Sequence, residues 1–376
     1  MTHHRYLVIA LVAALLAMPA ARAAADAFSP AQQAQIDAIA RRQLAAQNIS
    51  GLTVGVGRNG KLLFARGYGL RDRGRKLSAD GGTAYAIGSI TKQFTAAAVM
   101  LLAQSGQLDP HAKLSRYLPG VRHSNEVTVR ELLDQISGLQ DYLVDKPLLE
   151  SIENGTVSYH PAAYYVKIGA DLPLDFPPGS KWEYSNTNYA ALGLVIERVS
   201  RESYQRFLAN EIWQSRMPHT TYLRRSLPPG NNASQGYNFA KGRFSLVKPY
   251  DMSWANAAGA LSSTVGDLVT WDGLFFGGRI LDAATLRAAL AAPKNRPLLT
   301  SKDQRDNIAQ SYASGWVHGQ DEGRALVWHN GGTIGYRTMN LVFPDGLEVV
   351  VLTNATDGKP EPIALQVARM LYGGGR

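Results

Sequence analysis

Ser89 and Lys92 lie three residues apart at the head of a run, 89–105, that holds neither Gly nor Pro. Such a run permits one uninterrupted helix, and on its first turn the two side chains share a face. Gly88 breaks the chain before it, and Gly106 follows as a left-handed residue past the helix end. Beyond Lys92 the run is apolar almost all round, from Phe94 and Ala96 to Leu102 and Ala103, the composition of a buried helix. A hydroxyl and an amine at the mouth of a buried helix are costly without partners or a task. The task that suits this pair is nucleophilic attack. Serine must lose its proton first, and a desolvated lysine beside the positive end of a helix can take it. The N–H groups of that helix end also suit a developing oxyanion. The plainer alternative is a Ser89 cap with Lys92 reaching solvent. Ser-x-x-Lys alone is unspecific, since Ser245-Leu-Val-Lys248 repeats it in a strand-like alternation that runs into Pro249.

Two more stretches carry candidate chemistry. Lys181-Trp-Glu-Tyr184-Ser-Asn186 follows a Pro-Pro-Gly turn and precedes a helix. Tyr184 is a candidate base or proton shuttle, and Asn186 a candidate holder of a substrate amide. Trp328-His329-Asn330-Gly331-Gly332-Thr333 ends a strand, where paired glycines let a ligand approach the backbone. Taken singly, each also fits an ordinary loop tyrosine or a Gly-rich turn with a surface histidine. Rival systems are missing: the chain has no Gly-x-Ser-x-Gly elbow and no His-Glu-x-x-His. His111, His123, His160, His219 and His318 are scattered without ligand spacing, and there is no cysteine. Neither a metal nor a cofactor is implied. Gly55-Val-Gly57-Arg-Asn-Gly60 spells a dinucleotide fingerprint, but a strand follows where a helix is needed, so that reading is discarded.

The elements that must position these groups are legible in outline. Ser29-Pro30 opens a helix with an apolar stripe at Ile36, Ile39, Ala40 and Leu44. Segments 52–57 and 61–68 flank Asn59-Gly60, a type I′ hairpin signal. From Ser89 to about Pro293 the spacing is mainly helical, including 129–136, 189–201, 204–213 and 265–275. Strands are predicted at 312–318, 324–329, 336–343 and 347–353, then a helix over 360–372. The expected fold class is α+β: an antiparallel sheet built from both termini and flanked by helices, plus a mainly helical lobe. Its boundaries fall at 26–88 with 305–376 for the first lobe and 89–304 for the second.

The chain has 376 residues, 45% hydrophobic and 18% charged, an ordinary globular balance, with a formal net charge of +9. No run of Lys/Arg interleaved with aromatics is visible, so nucleic acid is not expected as a partner. Residues 1–5 and the short apolar run 6–18 read as the start of a signal peptide covering 1–25, cleaved after Ala23 or Ala25. A periplasmic or secreted enzyme follows from that, with no transmembrane segment in the mature chain.

The three motifs in this order resemble the serine β-lactamase and penicillin-binding-protein family, most closely its class C-like branch. That branch includes D-alanyl-D-alanine carboxypeptidases, D-aminopeptidases and related esterases. Supporting stretches are 64–69, 132–139, 178–188 and 345–354. The resemblance implies a β-lactamase/DD-peptidase-like fold, Ser89 as nucleophile, Lys92 as its partner, and Tyr184 and Asn186 as the second motif. It makes His329-Asn330-Gly331 the third motif and the N–H groups of Ser89 and Gly332 the oxyanion hole. It implies a serine hydrolase working through an acyl-enzyme on a small-molecule or peptide substrate such as cell-wall peptide. Either Lys92 or Tyr184 serves as base. A carboxylesterase and a non-catalytic β-lactam or peptide sensor are the alternatives. Family members that grip a substrate carboxylate carry hydroxyls on both sides of the third-motif glycine. Here Asn330 and Gly332 flank it, so no strict carboxylate requirement is expected unless Thr333 or Arg337 supplies the donor.

Overall fold

A computed structural model describes residues 28–230, 232–291 and 309–373; the segment read as a signal peptide lies outside them. The N-terminal part supplies α1 (Pro30–Ala46), β1 (Gly51–Arg58), β2 (Lys61–Asp72), β3 (Leu77–Ser78) and β4 (Tyr85–Ala86). The middle holds α2 (Thr91–Gln104), α3 (Val129–Leu133), α4 (Lys146–Glu153), α5 (Ala162–Ala170), α6 (Asn186–Ser200) and α7 (Tyr204–Phe207). It continues through β5 (Thr221–Tyr222), β6 (Tyr237–Ala240), β7 (Arg243–Leu246), α8 (Asn256–Gly259), β8 (Leu261–Ser263), α9 (Val265–Phe276) and α10 (Ala283–Leu290). The chain ends with β9 (Ala309–Ala313), β10 (Trp316–Asp321), β11 (Arg324–Thr333), β12 (Tyr336–Val342), β13 (Leu347–Thr353) and α11 (Pro360–Leu371).

Both termini build one antiparallel sheet of eight strands in the order β3-β2-β1-β13-β12-β11-β10-β9. The fold is the α+β architecture expected, a sheet built from both termini and flanked by helices, with a helical region beside it. Pairing β1 with β13 brings the first and last strands together at its centre. Successive residues of β1 face opposite sides. Gly55 and Gly57 face α9, where a Cβ would strike Val265 and Val269 at 2.5 and 2.4 Å, so their glycines let helix and sheet approach closely. The opposite face is covered by α1 and α11, which also touch each other. Ser29 caps α1 through a full capping box with Gln32, and Asn59-Gly60 turns the first hairpin with both φ positive.

Several elements depart from expectation. The helix predicted from Ser89 opens instead with a 3-10 turn, Gly88–Ile90, and becomes α-helical at Thr91. Gly88 has φ +53° and sits against the Gly332 backbone, so the chain must swing sharply before the helix settles. The strand predicted over 312–318 is two strands split at Ser314-Gly315, with Gly315 at φ +82° beneath the Lys92 carbonyl. Helix α3 stops at Leu133 because Gln135 turns left-handed at φ +61°. The helical stretch also contains the β6–β7 hairpin and the strands β5 and β8, which form a small sheet with β4 from just before it, in the order β4-β8-β5. Helix α9 falls within the 89–304 stretch yet packs on β1, β2 and β13.

Candidate active site

Helix α2 is buried along almost its whole length. Phe94 stacks on Trp271 at 4.1 Å between ring centres, and the Thr95 hydroxyl reaches the Ala257 carbonyl at 2.7 Å. The helix is therefore a fixed post, with Lys92 buried in its first turn and Ser89, half-buried, in the 3-10 turn that leads into it.

The Lys92 amine has no solvent exposure. Its Nζ lies 3.2 Å from Ser89 Oγ, 2.8 Å from Asn186 Oδ1 and 2.8 Å from the Ala258 carbonyl oxygen. Desolvation pushes its pKa down from 10.5 to about 7, against the pull of the Asp141 carboxylate. Two partners are carbonyl oxygens that only accept; the third, Ser89 Oγ, can accept the remaining proton of the ammonium or give its own to the lone pair of the neutral amine.

Asn186 opens α6 and is held in turn. Its backbone N–H and Nδ2 donate to Asp141 Oδ2 at 3.1 and 2.8 Å, which fixes Oδ1 toward Lys92. Burial raises the Asp141 pKa, while N–H bonds from Leu143 and Asn186 and the Lys92 charge lower it. Sequence reasoning missed Asp141. Its one signal was its place two residues beyond the 132–139 stretch. Tyr184, on the loop before α6, lays its ring 4.7 Å from Lys92 Nζ.

The third motif lies where β11 overhangs its neighbour. Pairing with β10 ends at Val317–Trp328, so residues 329–333 extend beyond that strand. Gly331 permits the overhang to press on the nucleophile turn: a Cβ there would stand 1.9 Å from the Ile87 carbonyl oxygen. A Cβ on Gly88 would stand 2.5 Å from the Gly332 nitrogen. These contacts set the backbones at Ser89 and Gly332 side by side. His329 is buried, with Nδ1 2.6 Å from the Asn330 carbonyl oxygen and Nε2 3.2 Å from the Tyr312 hydroxyl. A carbonyl only accepts, so Nδ1 carries a proton and donates it to Asn330, while Nε2 shares a hydrogen bond with the Tyr312 hydroxyl. Asn330 Nδ2 donates to Glu361 Oε1 at 2.9 Å. Arg337 Nη1 lies beside Gly332 and donates to the Thr333 carbonyl at 2.8 Å.

Ser89, Tyr184 and residues 329–333 line one cleft of about 930 Å³, walled by Trp182, Trp254 and Trp328. The structure thus gathers Ser89, Lys92, Tyr184, Asn186, His329, Asn330, Gly331 and Gly332 at one place. Ser245 and Lys248 are exposed, on and just beyond β7. No group of three or more His, Cys, Asp or Glu suited to a metal occurs among the described residues, nor does any helix there long and apolar enough to cross a membrane.

A serine and a buried amine at the head of a central helix, set against the overhanging end of β11, make an arrangement suited to nucleophilic attack by the serine. The Beta-lactamase family pattern matches residues 36–372, and the chain belongs to that family. Protein flp of Staphylococcus aureus (strain NCTC 8325 / PS 47) is 29% identical over 337 residues, 86% of this chain. The chain spans 63% of the length of that relative. A D-stereospecific amidohydrolase from Streptomyces sp. superposes with a TM-score of 0.75 at 25% identity, over 92% of this chain and 100% of that one. The D-amino acid amidase of Ochrobactrum anthropi SV3, complexed with D-phenylalanine, gives 0.79 at 21% identity over the same shares.

Proposed function

We propose that this chain hydrolyses amide or ester bonds through an acyl-enzyme on Ser89, as a hydrolase related to the D-Ala-D-Ala carboxypeptidases and β-lactamases. The observation that carries this is the Lys92 nitrogen, buried, of lowered basicity, and 3.2 Å from Ser89 Oγ. Lys92 takes the serine proton as Ser89 attacks the carbonyl, and Tyr184 passes a proton to the leaving group. The N–H groups of Ser89 and Gly332 hold the oxyanion. Water then releases the acyl group.

The substrate needs no carboxylate in this reading. The positions flanking Gly331 offer an amide tied to Glu361 and a bare backbone, and His329 spends both nitrogens on protein groups. The test is kcat/KM for a D-amino acid amide, a D-Ala-D-Ala peptide, a neutral p-nitrophenyl ester and a penicillin on one preparation. Amide or ester substrates lead. A penicillin preferred by about a hundredfold contradicts the reading and means that a donor such as Thr333 or Arg337 holds the carboxylate. Residues 1–25 act as an export signal on the same proposal, checked by N-terminal sequencing of the extracytoplasmic protein.

A further inference from the structure

The turn from β2 to β3 reads Arg73-Gly-Arg75-Lys76, and the β6–β7 hairpin turns through Lys241-Gly-Arg243. The two meet 164 residues apart in the chain, where the Arg73 backbone N–H donates to the Tyr237 hydroxyl at 2.7 Å. The Arg73 guanidinium lies 3.9 Å from the centre of the Phe244 ring, and Phe239 meets that ring edge-on at 4.8 Å. Stacking fixes a planar cation at the seam. Arg73, Arg75, Lys76, Lys241 and Arg243 are all exposed there. The carboxylate within these turns is Asp72, which is buried and paired with Arg75 at 2.7 Å. Arg73, Lys76, Lys241 and Arg243 make no ion pair among the described residues. The hairpin is also bonded to the wall of the cleft. The Thr356 N–H donates to the Tyr237 carbonyl at 3.0 Å, the Thr356 hydroxyl donates to Asn238 Oδ1 at 2.5 Å, and Thr356 lines the cleft.

We propose that this seam is a docking surface for a linear polymer of repeating phosphates, held beside the mouth of the cleft. Clustered like charges repel, and a polyanion relieves that repulsion while releasing its counterions. Guanidinium forks match phosphate oxygens two at a time. Phe244 is covered by Arg73 and met by Phe239, so the seam presents charge rather than a stacking platform. The two rings are half-buried in it and do not project as wedges for a bilayer. No sequence run betrays the surface, because folding assembles it from two distant turns.

The test is titration of labelled sodium polyphosphate into the full chain at rising salt, with orthophosphate and phosphatidylglycerol vesicles as comparison probes. Four unpaired cations predict a slope of log K against log salt of about −3, at roughly 0.7 per contact. Replacing Arg73, Lys76, Lys241 and Arg243 together by Gln lowers polyphosphate affinity by about tenfold or more and flattens that slope. The control Arg116→Gln, Arg198→Gln, Arg279→Gln, Arg287→Gln removes equal charge elsewhere and stays within about twofold of the parent. Turnover of a small neutral ester is unchanged in the seam variant, which reports an intact fold and keeps this test separate from that of acyl transfer. Equal losses in both variants overturn the proposal, since net charge alone would then bind. Binding to vesicles without binding to polyphosphate overturns it as well.

Discussion

Three oxygens surround the Lys92 nitrogen, and none belongs to a carboxylate. The nearby acid, Asp141, acts one step removed: it anchors Asn186 and raises the lysine pKa through space. Desolvation outweighs that pull, leaving the amine half-deprotonated near pH 7. Activity should therefore rise as pH climbs through about 7, the point at which Lys92 loses its proton. In a profile of kcat/KM against pH, Lys92→Arg should abolish this limb and cost about a hundredfold to ten thousandfold, because arginine stays charged. Asp141→Asn removes a charge that favours the ammonium form, so the limb should move to lower pH. An unmoved limb would assign it to another group.

At the scale of elements, the site depends on where glycines let backbones touch. Gly331→Ala would drive a methyl group into the Ile87 carbonyl, 1.9 Å from its ideal position, and push β11 away from the nucleophile turn. A stability loss of about 1–3 kcal/mol is expected, together with a fall in kcat larger than any change in KM. Denaturant melts and steady-state kinetics of the variant check both. Parent-like kcat would mean that the overhang does not position the oxyanion donors. The sequence carried the local signals well: the capped α1, the Asn59-Gly60 turn and the apolar run of α2 all have short-range causes. It did not carry the break at Ser314-Gly315, which exists because the turn abuts the Lys92 carbonyl of a distant helix. Nor did it reveal Asp141 or Tyr312, since an aspartate after a turn and a tyrosine in a strand are ordinary until folding sets them beside Asn186 and His329. The nucleophile pair was legible because one helical turn joins it, whereas the residues that orient the pair's partners come from other elements.

Across the whole molecule, a buried acid pair sets a different pH dependence. Glu348 of β13 and Asp272 of α9 are almost wholly buried, and Asp272 is pushed well up by desolvation and by the Glu348 charge. Glu348 is raised from 4.5 to about 8, mainly by desolvation, against the Gly60 N–H bond and the Arg58 charge. Asn340 Nδ2 donates to Asp272 Oδ1 at 2.9 Å, and the Gly60 N–H donates to Glu348 Oε1 at 2.7 Å. A carboxyl raised on folding holds its proton more tightly in the folded chain, so its stabilisation is complete below pH 4.5 and is lost as pH rises through about 8. Thermal melts across that window should show Tm falling with pH, and Glu348→Gln should flatten the decline. An unchanged slope in that variant would transfer the effect to Asp272 or another group.

The central claim is that Ser89 carries the acyl group. Intact-mass measurement with peptide mapping, after trapping with a slowly released acyl donor, reads it directly. The account predicts one acyl increment, on the peptide that contains Ser89, absent in Ser89→Ala, whose turnover falls by several orders of magnitude. An increment on Ser245 or any other residue, or undiminished turnover by Ser89→Ala, would contradict it.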